Sequence, residues 1–441
     1  MQSLCRVAQS GALLTCFSLL CVANGVSALV RSGLSNYTFP DNFMFGVATA
    51  AFQIEGGWNA GGLLKANITP VVTLYHWDLP TPLMDLGGWA NPKIIDYFED
   101  YARVAFRLFG DVVKYWTTIN EIHIHCYHGY GNDYFVPAVK FEGVAEYLCS
   151  HYMLLGHARV YHLYDKKFKP YQKGIIGITL DSFFAEPKDE KNSDDVAAAE
   201  RYLQMRLGQY AHPIYSKEGN YPDLVRERIN NLSISQGFSR SRLPVFTSQE
   251  VEMLRGSSDF FGLNHYTSIL ASSSLMEDGW AVPSLDHDTG VKGEQDPKWP
   301  IPGAPWLAVH PPGFRKLLNW ITKQYGTKVP IIVTENGMSD SGSLNDYERV
   351  SYYNRYLEQL LLAIHEDGCN VAGYIAWTLM DDFEWKDGYS VKFGLFHVDY
   401  NSPKRTRMPK LSAINYREIV TTKRINFDYI KIPSYKYNQL L

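Results

Sequence analysis

Apolar residues in this chain follow two patterns that alternate along its length. Short, nearly unbroken runs rich in β-branched and aromatic residues occupy Phe43–Gln53, Thr69–His76, Val112–Asn120, Gly174–Leu180, Asp259–Tyr266, Val329–Glu335 and Val371–Trp377. Runs of that length predict strands buried on both faces, as in a parallel sheet. Between them, in stretches such as Ile94–Phe109, Val144–Tyr164 and Tyr347–His365, apolar residues recur every three or four positions and predict helices with one buried face. Strand followed by helix, repeated without a Pro/Ser-rich linker or low-complexity tract, predicts one α/β domain, above all a (β/α)8 barrel. A doubly wound sheet is the alternative. It is disfavoured because no glycine-rich fingerprint follows the first strand and candidate chemistry stands at many strand ends.

The first 28 residues break this rhythm. Met1–Arg6 is short and positive, Gly11–Ala23 is apolar, and Val26-Ser27-Ala28 offers small residues for a signal peptidase. We expect residues 1–28 to be a secretory signal, with the barrel domain over 29–441. The apolar stretch falls short of the ~20 residues a membrane span needs, so no stable membrane anchor is expected. Sequons at Asn36, Asn67 and Asn231 fit that route. Past residue 28 only Cys126, Cys149 and Cys369 remain, an odd number, so at least one is free or intermolecular and no disulfide framework is indicated. Composition narrows the class further. With 46% hydrophobic residues, 20% charged and a formal charge of -4, the chain is globular and carries no nucleic-acid signature. No Cys/His cluster has metal-ligand spacing, and no cofactor is implied.

Two of the apolar runs end in a carboxylate beside an asparagine: Asn120-Glu121 and Glu335-Asn336. Acids placed where strands of a parallel sheet run out meet at its rim. Two of them facing one another can divide the work of breaking a glycosidic bond, one protonating the leaving oxygen and the other attacking the anomeric carbon or activating water.

Read in order, the strand ends resemble glycoside hydrolase family 1, the retaining β-glycosidases. The motifs are Phe45-Gly46-Val47-Ala48-Thr49-Ala50 leading to Gln53-Ile54-Glu55-Gly56, Tyr75-His76-Trp77-Asp78-Leu79-Pro80, Asn120-Glu121, Asn264-His265-Tyr266-Thr267, Thr334-Glu335-Asn336-Gly337, and Trp377 followed by Phe383-Glu384-Trp385. The resemblance implies that Glu335 is the nucleophile and Glu121 the general acid/base, with carboxyls about 5 Å apart. It implies that Asn120 bonds the sugar 2-hydroxyl and that Tyr266 donates to the nucleophile. Gln53, His76, Glu384 and Trp385 match the residues that read sugar hydroxyls, and Trp377 matches the stacking platform. Trp306 and Phe393 are candidates for the aglycone side.

Two departures stand out. Ile122 follows the Asn-Glu pair where the family usually has proline, so the backbone exit that aims Glu121 is set differently. The larger departure is a gap. Only Gly57–Asn67 separates the first-strand motif from the run that resembles the family's third strand, too little for the helix, second strand and further helix expected there. An Arg-Phe-Ser motif, whose arginine pairs with the nucleophile in the family, is absent from the sequence. A barrel short of one strand cannot close with the usual tilt and stagger, so exposed edges are expected at the first strand and at the one after the gap. Three readings follow: a secreted retaining β-glycosidase acting on β-glucosides or β-galactosides, a catalytically impaired sugar-binding protein of the same fold, or a truncated isoform that does not fold stably.

Overall fold

The computed structural model describes residues 33–54, 68–274 and 282–428. The expected signal segment and the junction at Gly57–Asn67 lie outside the described residues. Strands run in chain order β1 (Met44–Val47), β2 (Val71–Tyr75), β3 (Tyr115–Asn120), β4 (Ile175–Asp181), β5 (Phe184–Pro187), β6 (Phe261–Asn264), β7 (Ser268–Ser273), β8 (Val291–Glu294), β9 (Ile331–Asn336), β10 (Val371–Ala376), β11 (Phe396–Val398) and β12 (Arg407–Pro409).

Seven of these form one parallel sheet in the order β1-β10-β9-β6-β4-β3-β2. They are the seven runs the apolar pattern predicts. Among the described residues, strands β1 and β2 each pair on one side only, and there the sheet is a curled barrel wall open between its first and third family strands. β3, β4, β6 and β9 are buried along almost their whole length, which accounts for their continuous apolar sequences.

Helices cover the outside. Ile94–Phe109 and Tyr347–His365 occupy the expected residues, and the third expected helix runs Ala145–Lys167. The Ile94–Phe109 helix buries Ile94, Ile95, Phe98, Ala102, Ala105 and Phe106, carries Asp96 in its first turn and Arg107 in its last, and gives way at Gly110. No helix among the described residues is long and apolar enough to cross a membrane.

Three expectations need correction. The first run is a strand only over Met44–Val47. Beyond it the Ala48 N–H donates to the Ala376 carbonyl at the end of β10 and the Ala48 carbonyl accepts from the Leu379 N–H, and a short helix begins at Ala51. The sequence reading also omitted a small sheet of order β5-β7-β8 and the β11-β12 hairpin. Finally, Cys126 and Cys149 form a disulfide, tying the helix Ile122–Cys126 to Ala145–Lys167, while Cys369 is free and buried.

Candidate active site

Glu121 and Glu335 stand at the carboxyl ends of β3 and β9. Glu121 follows directly on β3 with a left-handed backbone (φ 51°, ψ 67°), and the helix Ile122–Cys126 starts at the next residue. Fully buried Ile122 anchors that turn in the core, at the position where proline was expected. Glu335 lies within β9, and Asn336 fixes the strand end beside it. The Asn336 amide donates to the His265 carbonyl (2.5 Å) and to Tyr352 Oη (2.9 Å), and its oxygen accepts from Tyr374 Oη (2.6 Å). Gly337 is required because a Cβ there would run into the Trp377 carbonyl oxygen.

Asn264, at the end of β6, links the two acids. Its Nδ2 donates to Glu121 Oε1 (2.7 Å) and Asn120 Oδ1 (3.1 Å), while its Oδ1 accepts from Thr334 Oγ1 (2.7 Å), next to Glu335. One amide therefore sets the relative position of three strand ends. Tyr266 Oη donates to Glu335 Oε2 at 2.6 Å.

Burial sets the charge state of both acids. It holds Glu121 well above the ordinary carboxyl range, and the neighbouring charges of Glu335 and Asp181 push the same way against the Asn264 hydrogen bond and Arg206. Glu335 is also raised by burial, to about 7, while the bonds from Tyr266 and Asn264 favour its ionised form. Burial raises both acids, but the Tyr266 phenol bonded to Glu335 supports the ionised form there, while the charges of Glu335 and Asp181 push Glu121 toward its acid form. No ion pair to Glu335 occurs among the described residues.

A cavity of about 390 Å3 opens over the two carboxyls, within the ~300–1,000 Å3 range of small-molecule sites. Gln53, His76, Tyr266, Trp377, Glu384 and Trp385 line it with both acids, and Trp306 and Phe393 lie on its wall. Asn120 sits just behind, its Nδ2 3.3 Å from His76 Nε2. Burial lowers His76 to about 4, so its imidazole is neutral and Nε2 accepts from Asn120. Gln53 Nε2 donates to the Phe383 carbonyl (3.0 Å) and Glu384 Oε2 (3.3 Å), while Gln53 Oε1 and Glu384 Oε1 have no hydrogen-bond partner among the described residues. Trp385 stacks on Phe52 with centroids 5.6 Å apart and packs on Trp77 at 4.7 Å. Trp306 meets Tyr266 edge-on at 5.7 Å. All nine sequence-predicted site residues therefore converge on one cavity or its immediate backing.

This convergence is matched by similarity to known proteins. The family model for glycosyl hydrolase family 1 matches residues 35–63 and 62–425. The chain belongs to glycosyl hydrolase family 1. Among family 1 relatives, myrosinase 1 of Brevicoryne brassicae is 35% identical over 88% of this chain and 99% of its own length. Human lactase/phlorizin hydrolase is 44% identical over 82% of this chain, which spans 18% of that protein. The structure of aphid myrosinase superposes with a TM-score of 0.81, covering 87% of this chain and 99% of the other at 35% identity. A family 1 β-glucosidase from the fungus Humicola insolens superposes with a TM-score of 0.80 at 31% identity, covering 87% of this chain and 98% of the other. The family match breaks in two at residues 62–63, where the sequence runs short. The alignment to the Brevicoryne brassicae protein spans 468 residues, more than the 441 of this chain, so that family 1 relative holds segments this chain lacks.

The sequence reading passed over Asn264 as a site residue, and also Asp181, Arg206 and Trp77, all of which the fold brings to the cavity or its acids. Asn264 stood inside a quoted family 1 motif and was findable. Asp181 and Arg206 lie in no quoted motif.

Proposed function

We propose that this chain hydrolyses β-glycosidic bonds by a retaining double displacement, with Glu335 as nucleophile and Glu121 as acid/base. Glu335 attacks the anomeric carbon as Glu121 gives its proton to the departing oxygen. A covalent glycosyl-enzyme forms, and Glu121, now ionised, takes a proton from the water that releases the sugar. The observation that carries this reading is the asymmetric pair: two buried strand-end carboxyls, one bonded by a phenol that favours its charge and the other pushed toward its acid form by burial and the neighbouring carboxylates. β-Glucosides or β-galactosides suit the polar wall, where Gln53 Oε1 and Glu384 Oε1, without partners among the described residues, can accept from vicinal hydroxyls and Trp377 can stack on the sugar face.

Azide separates the roles. Glu335→Ala should lose turnover and regain it with azide, giving the α-glycosyl azide, because the anion attacks from the vacated side. Glu121→Ala should spare substrates with good leaving groups and give the β-azide. Identical azide products from both variants would overturn the assignment.

A second reading, a sugar-binding protein with weak turnover, draws on one observation: Glu335 has no cationic partner among the described residues and is raised to about 7. Glucose binding by calorimetry without release of an aryl aglycone would favour it. The proposal extends to a secretory route, supported by the positive start, the apolar stretch and the small residues at Val26-Ser27-Ala28. Sequencing the N-terminus of secreted material tests it, with Leu29 expected first.

A further inference from the structure

A buried ion pair acts on Glu121 from the cavity lining. Arg206 Nη2 contacts Asp181 Oδ2 at 2.6 Å, with the two side chains 11% and 7% exposed. Both residues line the cavity. Arg206 projects from a π-turn, Gln204–Gly208, inserted between two helices, an irregularity common at functional sites. Its guanidinium lies 4.3 Å from the Phe183 ring centroid, and its Nη1 is 3.3 Å from His123 Nε2.

His123 belongs to the turn that carries Glu121. Burial and the Arg206 charge hold it neutral, so Nε2 accepts from Arg206 while Nδ1 faces Tyr210 Oη at 3.3 Å. Asp181 acts on Glu121 through its charge. It is the sheet partner of Asn264, whose amide holds the Glu121 carboxyl. Glu121 is thus faced by Glu335 from β9, Asp181 from β4 and Arg206 from the π-turn, with the neutral imidazole of His123 against Arg206 and the Tyr266 phenol beside Glu335.

We propose that the Arg206–Asp181 ion pair positions the acid/base: Arg206 braces the Glu121 turn through His123, and its charge offsets that of Asp181 next to the Glu121 carboxyl. The arrangement gives this chain a side-on support for a left-handed turn that lacks the family's usual proline. The inference rests on the proposed role of Glu121 and adds two positioning residues to it. Removing either partner alone unbalances the charge in opposite senses. Without Arg206, Asp181 favours protonated Glu121; without Asp181, Arg206 favours the ionised form.

The test uses the full chain with Arg206→Met, Asp181→Asn, the double variant and Arg206→Lys. The alkaline limb of kcat/KM should rise by about one pH unit or more in Arg206→Met, fall by a similar amount in Asp181→Asn, and return near its starting point in the double variant. Arg206→Met should slow alkyl glycosides, which need acid catalysis, roughly tenfold or more while sparing dinitrophenyl glycosides. Arg206→Lys should keep the limb in place but recover only part of the alkyl-glycoside rate, since a point charge cannot fork to Asp181 and His123 together. Titration of the Glu121 carboxyl by carbon-13 NMR should show the same opposite shifts without requiring turnover. If the unsubstituted chain is inactive yet those shifts occur, the functional reading fails and the pairing stands. Unmoved Glu121 titration in both single variants, or equal slowing of both substrate types, overturns the inference.

Discussion

At the scale of single residues, the site depends on how each acid is held. Glu335 is bonded by Tyr266 and, with no cation paired to it among the described residues, faces like charge from groups that include Asp181 and Asp382. Because it must be ionised to attack and is raised to about 7, kcat/KM should fall about tenfold per pH unit below that point. A pH profile with an aryl β-glucoside checks this. Tyr266→Phe removes the bond that favours the charged form, so the acidic limb should move further up by about one pH unit or more. A limb that stays in place would show that the phenol does not support the nucleophile. The residues that act on the sugar were legible because they sit in motifs with recognisable neighbours. Asp181 and Arg206 were not, since a lone acid at a strand end and a lone arginine in a helical stretch are ordinary until the fold sets them 2.6 Å apart.

At the scale of elements, the sheet strands were readable because burial on both faces writes itself as an unbroken apolar run. The small β5-β7-β8 sheet was not. Ser268–Ser273 and Val291–Glu294 mix polar and apolar residues, and they become strands by pairing, the first with the distant Phe184–Pro187 and the second with the first. The Cys126–Cys149 bridge likewise depends on two helices meeting, which a spacing of 23 does not reveal. The open sheet leaves its mark on the Ile94–Phe109 helix, which follows the edge strand β2. Opposite its buried face, Tyr97, Tyr101, Val104 and Leu108 recur at intervals of four, three and four and are 47%, 52%, 52% and 64% exposed. A helix with apolar residues on both faces expects cover on both. We therefore expect Tyr101→Lys with Leu108→Lys to reduce dye binding and self-association while changing stability by no more than about 0.5 kcal/mol. A large loss of stability on denaturant titration would show that this face is packed after all.

At the scale of the whole molecule, the sequence reading anticipated a family 1 barrel short of one strand, and the sheet ends at β1 and β2 as expected. The physical cost is two unpaired edges and a nucleophile without a cation among the described residues. Inserting between residues 62 and 63 the segment that relatives carry should restore both. Loss of a charged hydrogen-bond partner typically costs about 1.5 to 3 kcal/mol, so the repaired chain should turn over at least roughly tenfold faster and melt at a higher temperature. Calorimetry and aryl-glucoside kinetics on the two chains check this, and equal behaviour would show that the gap is tolerated. If Glu121 and Glu335, brought together by strands β3 and β9, cleave β-glycosides with net retention as proposed, proton NMR of the first sugar released from an aryl β-glucoside will show the β-anomer, which then mutarotates; an α-anomer appearing first would rule retention out.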